Sequence, residues 1–148
     1  MRENCVKRTL CCAGILFLGL LAFSTFFPGE SPAAEVQPDC DIQSGGCQKT
    51  LNDRTIELEI LPRPVKAMSD LTFRVRILGA PLTGAPSIDL GMPGMNMGRN
   101  HVKLEKNSMD VYEGRGVIVR CHSGKTVWQA TVNLPDAGKV IFTFDVVY

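Results

Sequence analysis

The chain has 148 residues, 45% hydrophobic and 21% charged, with Lys+Arg 16 against Asp+Glu 15. Nucleic-acid readers and polybasic membrane-surface binders draw affinity from a marked positive excess, so the near balance argues against both; the ordinary charged fraction argues against a disordered tail. Of the six cysteines, Cys5, Cys11 and Cys12 lie close to the start and Cys40, Cys47 and Cys121 in the remainder, so the bulk composition averages two unlike pieces.

The first piece carries Arg2, Lys7 and Arg8 ahead of residues 9–29, which hold no charge. A basic n-region, an apolar run over residues 10–27, the helix-breaking Pro28 and a small-residue segment over 29–34 form the pattern of a secretory signal peptide cut after Ala34. An apolar run of this length also stands at the lower edge of what spans a bilayer. A retained anchor over residues 1–34, touching the membrane through residues 10–27, is therefore the alternative. Both readings put the rest of the chain outside the cytoplasm, in a periplasm or on the outer face of the cytoplasmic membrane, because basic flanks stay inside. Setting residues 1–34 aside removes Arg2, Lys7 and Arg8 from the bases and Glu3 and Glu30 from the acids, leaving 13 of each sign. The remaining domain is formally neutral and large enough for one core.

Residues 35–54 are polar and Gly-rich and lack a periodic apolar pattern; they read as an ordered leader loop holding Cys40 and Cys47 in Cys-Asp-Ile-Gln-Ser-Gly-Gly-Cys. With Cys121 there are three possible pairings in an oxidising compartment. Cys40 with Cys47 is the preferred one and closes a short loop; either of them with Cys121 would staple the leader to the rest of the domain. Two-residue alternation then takes over. Ile56, Leu58 and Ile60 alternate with Thr55, Glu57 and Glu59, and Leu71, Phe73, Val75 and Ile77 alternate with Thr72, Arg74 and Arg76, the pattern of half-buried strands.

Shorter apolar runs follow at 88–90, 102–104, 116–120 and 127–134, and the chain closes with Val140, Phe142, Phe144, Val146 and Tyr148 on one face. Turn chemistry separates them: Leu61-Pro62-Arg63-Pro64, Thr83-Gly84-Ala85-Pro86, residues 91–100, His122-Ser123-Gly124-Lys125 and Pro135-Asp136-Ala137-Gly138. About seven short strands at this spacing, with no helical period past residue 34, predict an immunoglobulin-like antiparallel β-sandwich over residues 55–148. Trp128 reads as a core residue and Tyr112 as a hydrogen-bonding corner.

The inventory for catalysis is poor. His101 and His122 are the two imidazoles, no His-x-x-x-His or Gly-x-Ser-x-Gly pattern occurs, and acids such as Glu57 and Glu59 take solvent-facing strand positions, so an enzyme is not expected. The unusual segment is Gly91-Met92-Pro93-Gly94-Met95-Asn96-Met97-Gly98-Arg99-Asn100-His101, where methionines stand among glycines and asparagines instead of in an apolar pattern. Met-Pro-Gly-Met has the form of a type II turn with Gly94 at the position needing positive φ, which brings Met92 and Met95 together. Met97 shares a face with Met95 in an extended chain. Soft, neutral thioethers select Cu(I) and compete with no proton, so Met92, Met95 and Met97 are candidate copper ligands and His101 joins them by proximity. The other readings are that one or two of these methionines plug the end of the sandwich, or that the loop is an adaptable protein-binding surface. Cys121 reads first as a buried small hydrophobe at a strand end.

Gly84-Ala85-Pro86 leading into Ile88-Asp89-Leu90, the Met92-Pro93-Gly94-Met95-Asn96-Met97-Gly98 segment, Val111-Tyr112-Glu113-Gly114-Arg115-Gly116 and Trp128 before a strand together resemble the YtkA-like domain shared with FixH-type proteins, over roughly residues 55–148. The resemblance implies an extracytoplasmic β-sandwich, often membrane-tethered, associated with copper handling and with assembly of haem-copper oxidases, its carry-over limited to Met92, Met95 and Met97. The expected function is an exported protein that holds Cu(I) for delivery or oxidase assembly, its partner a membrane copper-handling or oxidase-assembly protein. The alternative is a metal-free interaction module of a membrane-associated assembly complex.

Overall fold

A computed structural model describes residues 36–148; the expected export or anchor helix over residues 1–34 lies outside the described residues. Strands form where apolar residues alternate with polar ones. In β2 (Arg54–Leu61) Ile56, Leu58 and Ile60 are buried, and in β3 (Leu71–Leu78) Leu71, Phe73 and Val75 are, while the residues between them stay at least partly in solvent. The same period holds in β8 (Val127–Leu134), which buries Trp128, Ala130, Val132 and Leu134, and in β9 (Gly138–Asp145), which buries Val140, Phe142 and Phe144. With β1 (Cys47–Leu51), β4 (Ser87–Gly91), β5 (His101–Lys103), β6 (Glu105–Lys106) and β7 (Tyr112–Gly116), these build two antiparallel sheets ordered β1-β2-β3-β7-β6 and β5-β4-β8-β9. Among the described residues there is no helix. The two apolar faces form one core in which Trp128, Phe73, Phe142 and Phe144 are 0% exposed. Burying each such phenylalanine stabilises the fold by about 1.5–3 kcal/mol relative to leaving it in water.

Nine strands replace the expected seven or so for two reasons. First, the leader is not all loop: β1 lies within it and pairs with β2 from Cys47↔Leu58 to Leu51↔Arg54. No side chain of β1 is fully buried; Cys47 and Leu51 pack only partly against the core, so the hydrophobic signal is weak and backbone pairing at the edge of the sheet does much of the holding. Second, the apolar run at 102–104 does not form one strand. The chain pairs with β4 through β5, passes the buried Leu104, and pairs with β7 through β6, so it changes sheets within a few residues. Glycine makes that crossing possible. A Cβ on Gly114 would collide with the Lys103 carbonyl oxygen and stand 2.9 Å from Val102 Cγ1, and one on Gly116 would stand 2.7 Å from Val102 Cγ2. The run expected at 116–120 likewise ends as a strand at Gly116.

Residues 37–43 run along the free edge of β9. The Asp39 and Cys40 amides donate to the Thr143 carbonyl at 3.0 and 3.1 Å, and the Thr143 amide donates to Asp39 Oδ1 at 3.0 Å. On either side, Lys49 Nζ donates to the Ile141 carbonyl at 2.6 Å and Gln43 Nε2 to the Asp145 carbonyl at 2.9 Å. Residues 141, 143 and 145 are the alternate positions whose carbonyls point away from β8, so this strap satisfies groups that an edge strand otherwise leaves open. Cys40 and Cys47 stand at disulfide distance, with Cα–Cα 5.9 Å, and tie the strap to β1 in the other sheet. This is the preferred pairing of the three weighed above, and Cys121 is free and buried.

Candidate functional site: the methionine loop and its end of the sandwich

Residues 91–100 leave β4 and return as β5, and the excursion is closed at its base by the Leu90 amide donating to the Asn100 carbonyl at 2.8 Å. At its start, the Met95 amide donates to the Met92 carbonyl at 3.1 Å and Gly94 has φ 71°, as a type II turn through Pro93 and Gly94 requires. The turn brings the two residues into an isolated antiparallel bridge. A second local bond, from the Gly98 amide to Asn96 Oδ1 at 3.2 Å, together with Gly98 at φ 72°, turns the chain again after Met97.

The three methionines are not equivalent. Met92 continues the inward series Ile88, Leu90, Met92 and is 5% exposed; Met95 and Met97 are half-buried and pack against the core. Continuing the β4–β8 register past Gly91↔Gln129 sets Met92 across from Trp128. Met92 therefore closes one end of the core and stands beside the more accessible Met95.

His101 goes elsewhere. It pairs with Asp89 across β4 and β5, on the outward face, and its Nδ1 lies 2.8 Å from Asp89 Oδ1. Met92 has the opposite parity on β4 and faces inward, so the structure does not bring this imidazole to the Met92 thioether. The bond from His101, followed by that from Asn133 Nδ2 at 2.8 Å, holds the Asp89 carboxyl below its ordinary pKa against the opposing effect of partial burial. The sequence separation between Asp89 and His101 gave no sign of this pair, which exists only through strand register.

At the same end, Tyr148 takes the corner role expected of Tyr112. Its hydroxyl accepts from Trp128 Nε1 at 3.1 Å and donates to the Lys125 carbonyl at 2.5 Å. Tyr112 instead lies in β7 with the Lys106 ammonium 5.9 Å from its ring centroid. Cys121 opens a turn closed by the Gly124 amide donating to its carbonyl at 3.2 Å; its side chain is buried while His122 is exposed. The Ser123 hydroxyl, 2.9 Å from Cys121 Sγ, and then the Ser123 amide hold the thiol below its ordinary pKa, with Lys125 adding a smaller pull. Among the described residues, no group of three or more His, Cys, Asp or Glu side chains converges as a metal site. Comparison with family models, with curated proteins and with solved structures finds no match to the chain.

Proposed function

We propose that the domain is an exported, non-catalytic copper-binding protein that holds Cu(I) on Met92, Met95 and Met97 for delivery to a membrane copper-handling or oxidase-assembly partner. The observation that carries this reading is the Met92–Met95 turn. A positive-φ glycine and a 3.1 Å backbone bond set two thioether-bearing residues side by side, with Met97 following on a half-buried stretch. One ligand anchored in the core and two nearer the surface suit a site that must load and release a soft ion. The resemblance to YtkA-like domains supports the same assignment and an extracytoplasmic location. The immunoglobulin-like reading is supported by strand order, since β1-β2-β3-β7-β6 facing β5-β4-β8-β9 follows the two-sheet order of that sandwich with two extra strands, β1 beside β2 and β5 beside β4. His101, engaged by Asp89, stands outside this ligand set.

An anaerobic Cu(I) titration of the purified protein against a weak Cu(I) chelator tests the reading. The expected result is stoichiometric copper, with binding lost on replacing Met92, Met95 and Met97 by leucine, a volume-conserving change that costs the core less than about 1.5 kcal/mol per site. Leaving His101→Ala at full stoichiometry is part of the expectation. The second reading, a metal-free module that docks on a membrane assembly complex, is favoured by the 5% exposure of Met92. Copper that transfers wholly to the chelator sinks the first reading in favour of the second.

A further inference from the structure

The domain from residue 35 onward has equal numbers of acids and bases, but the fold does not mix them evenly. β2 leads into β3, β4 into β5 and β7 into β8 at the end that holds the methionine loop, and β9 finishes there. The connecting residues 62–70, 92–100, 117–126 and 146–148 contain Arg63, Lys66, Arg99, Arg120 and Lys125 against Asp70, and the leader adds Asp41 where Ile42 and Gln43 meet Arg63 and Val65. Segments at the opposite end, 52–53, 79–86, 107–111 and 135–137, contain Asp53, Asp110 and Asp136, of which Asp110 pairs with Lys106 at 2.8 Å and Asp136 with Arg54 at 3.1 Å. Arg63 is taken by Glu59 at 2.9 Å, whereas among the described residues Lys66, Arg120 and Lys125 enter no ion pair. These three free bases favour the approach of this end to anionic surfaces.

Apolar side chains project from this basic end. Met68 is 68% exposed, Val117 36%, Val119 40% and Val147 41%, and Tyr148 adds an aromatic ring at 38%. They form one tip because backbone bonds join their segments. Met68 donates to the Ile118 carbonyl at 2.8 Å, Ala67 to the Val147 carbonyl at 2.9 Å, and Asn100 Nδ2 to the Val117 carbonyl at 2.9 Å. The Arg120 guanidinium lies 5.6 Å from the Tyr148 ring centroid, so the cation and the aromatic ring are presented together. Met68 also holds φ 59°, in the left-handed region that a non-glycine residue occupies at a cost, while its side chain faces solvent.

Apolar side chains at a tip, ringed by bases and an aromatic, are what an acyl–headgroup boundary with anionic lipid accommodates; an acidic protein would satisfy the charge but gives no reason for exposed valines and methionine. We propose that this end docks on an anionic phospholipid bilayer, with Met68, Val117 and Val119 entering the boundary and Lys66, Arg120 and Lys125 at headgroup level. The surface needs no copper, and the methionine loop then faces the membrane from which a partner would be met.

Amide hydrogen exchange read by mass spectrometry on the full chain, reconstituted in phosphatidylcholine vesicles or in vesicles also containing phosphatidylglycerol, tests the proposal without metal. Each base near an anionic surface is worth about fivefold in binding. Exchange in 65–70 and 117–126 is expected to slow at least fivefold in the anionic vesicles, to recover at high salt, and to leave 107–111 and 135–137 unchanged. Lys66→Gln with Arg120→Gln, and separately Val119→Ser with Met68→Ser, are exposed changes that should abolish the slowing with the melting temperature unaltered. Equal exchange in the two lipid compositions, slowing at the acidic end instead, or slowing seen only when an acidic protein is added overturns it.

Discussion

Removing the Cys40–Cys47 pair, by Cys40→Ser with Cys47→Ser or by reduction, measures how far the leader strap belongs to the fold. The pair spans a sequence separation of 7. Loop-closure entropy for a ring of that size is worth about 2.4 kcal/mol at 25 °C. An unfolding entropy of about 2.1 cal/mol/K per residue amounts to about 0.24 kcal/mol/K for the described domain, so the expected fall in melting temperature is about 10 °C. The strap gives this loss a route into the core unit, because Asp39, Cys40, Gln43 and Lys49 satisfy backbone groups of β9, in the sheet that does not contain β1. Thermal unfolding followed by circular dichroism, with and without dithiothreitol, supplies the number. A fall below about 3 °C, well under the entropic expectation, refutes the reasoning, because it means the strap frays before the sandwich melts. A reductant effect that persists in a single Cys40→Ser variant points to a bridge between Cys47 and Cys121 instead.

Gly114→Ala is expected to destabilise by at least about 2–3 kcal/mol, at the upper part of the range for overpacking, because its new methyl group meets the Lys103 backbone and not a yielding side chain. Gly45→Ala, where nothing lies within 4 Å, should change stability by less than about 1 kcal/mol, and urea unfolding of the pair makes the comparison. The Asp39 carboxyl supplies a pH test: partial burial alone would raise its pKa, but the Lys49 ammonium and the Thr143 amide outweigh it and hold the group below 3.8. A depressed carboxyl stabilises the fold fully above its unfolded pKa and loses that contribution as pH falls through the folded one, so strap stability should drop below about pH 4. Hydrogen exchange at Thr143 between pH 3 and 6, corrected for intrinsic rates, should show this loss of protection, and Asp39→Asn should flatten it; an unchanged acid limb in the variant would remove Asp39 from the account.

Much of the fold was legible because burial in a two-sheet protein has a local signature. Ile56, Leu58 and Ile60, then Leu71, Phe73 and Val75, each show which face turns inward without reference to a partner strand. The Met92–Met95 turn was legible for a similar reason, since proline and glycine at its centre leave few backbone choices. Edge strand β1 was not, because its side chains are at most partly buried and its pairing with β2 is a matter of backbone bonds. The assignment of His101 to the methionines rested on nearness along the chain. Strand parity puts it on the other face, and strand register gives it to Asp89.

Composition shows a chain with balanced charge, and the sequence by itself determines that its apolar residues alternate, that its turns fall between them and that its methionines gather in one loop. None of these depends on distant residues, because alternation and turn chemistry are set within a few positions. Only the tertiary structure decided that Lys66, Arg120 and Lys125, which enter no ion pair among the described residues, gather at the methionine end, and that the leader closes the β9 edge. Those properties join segments as far apart as residues 39 and 143 or 68 and 118, and antiparallel pairing, which carries alternate connections to opposite ends of a sheet, determines where each charge is displayed.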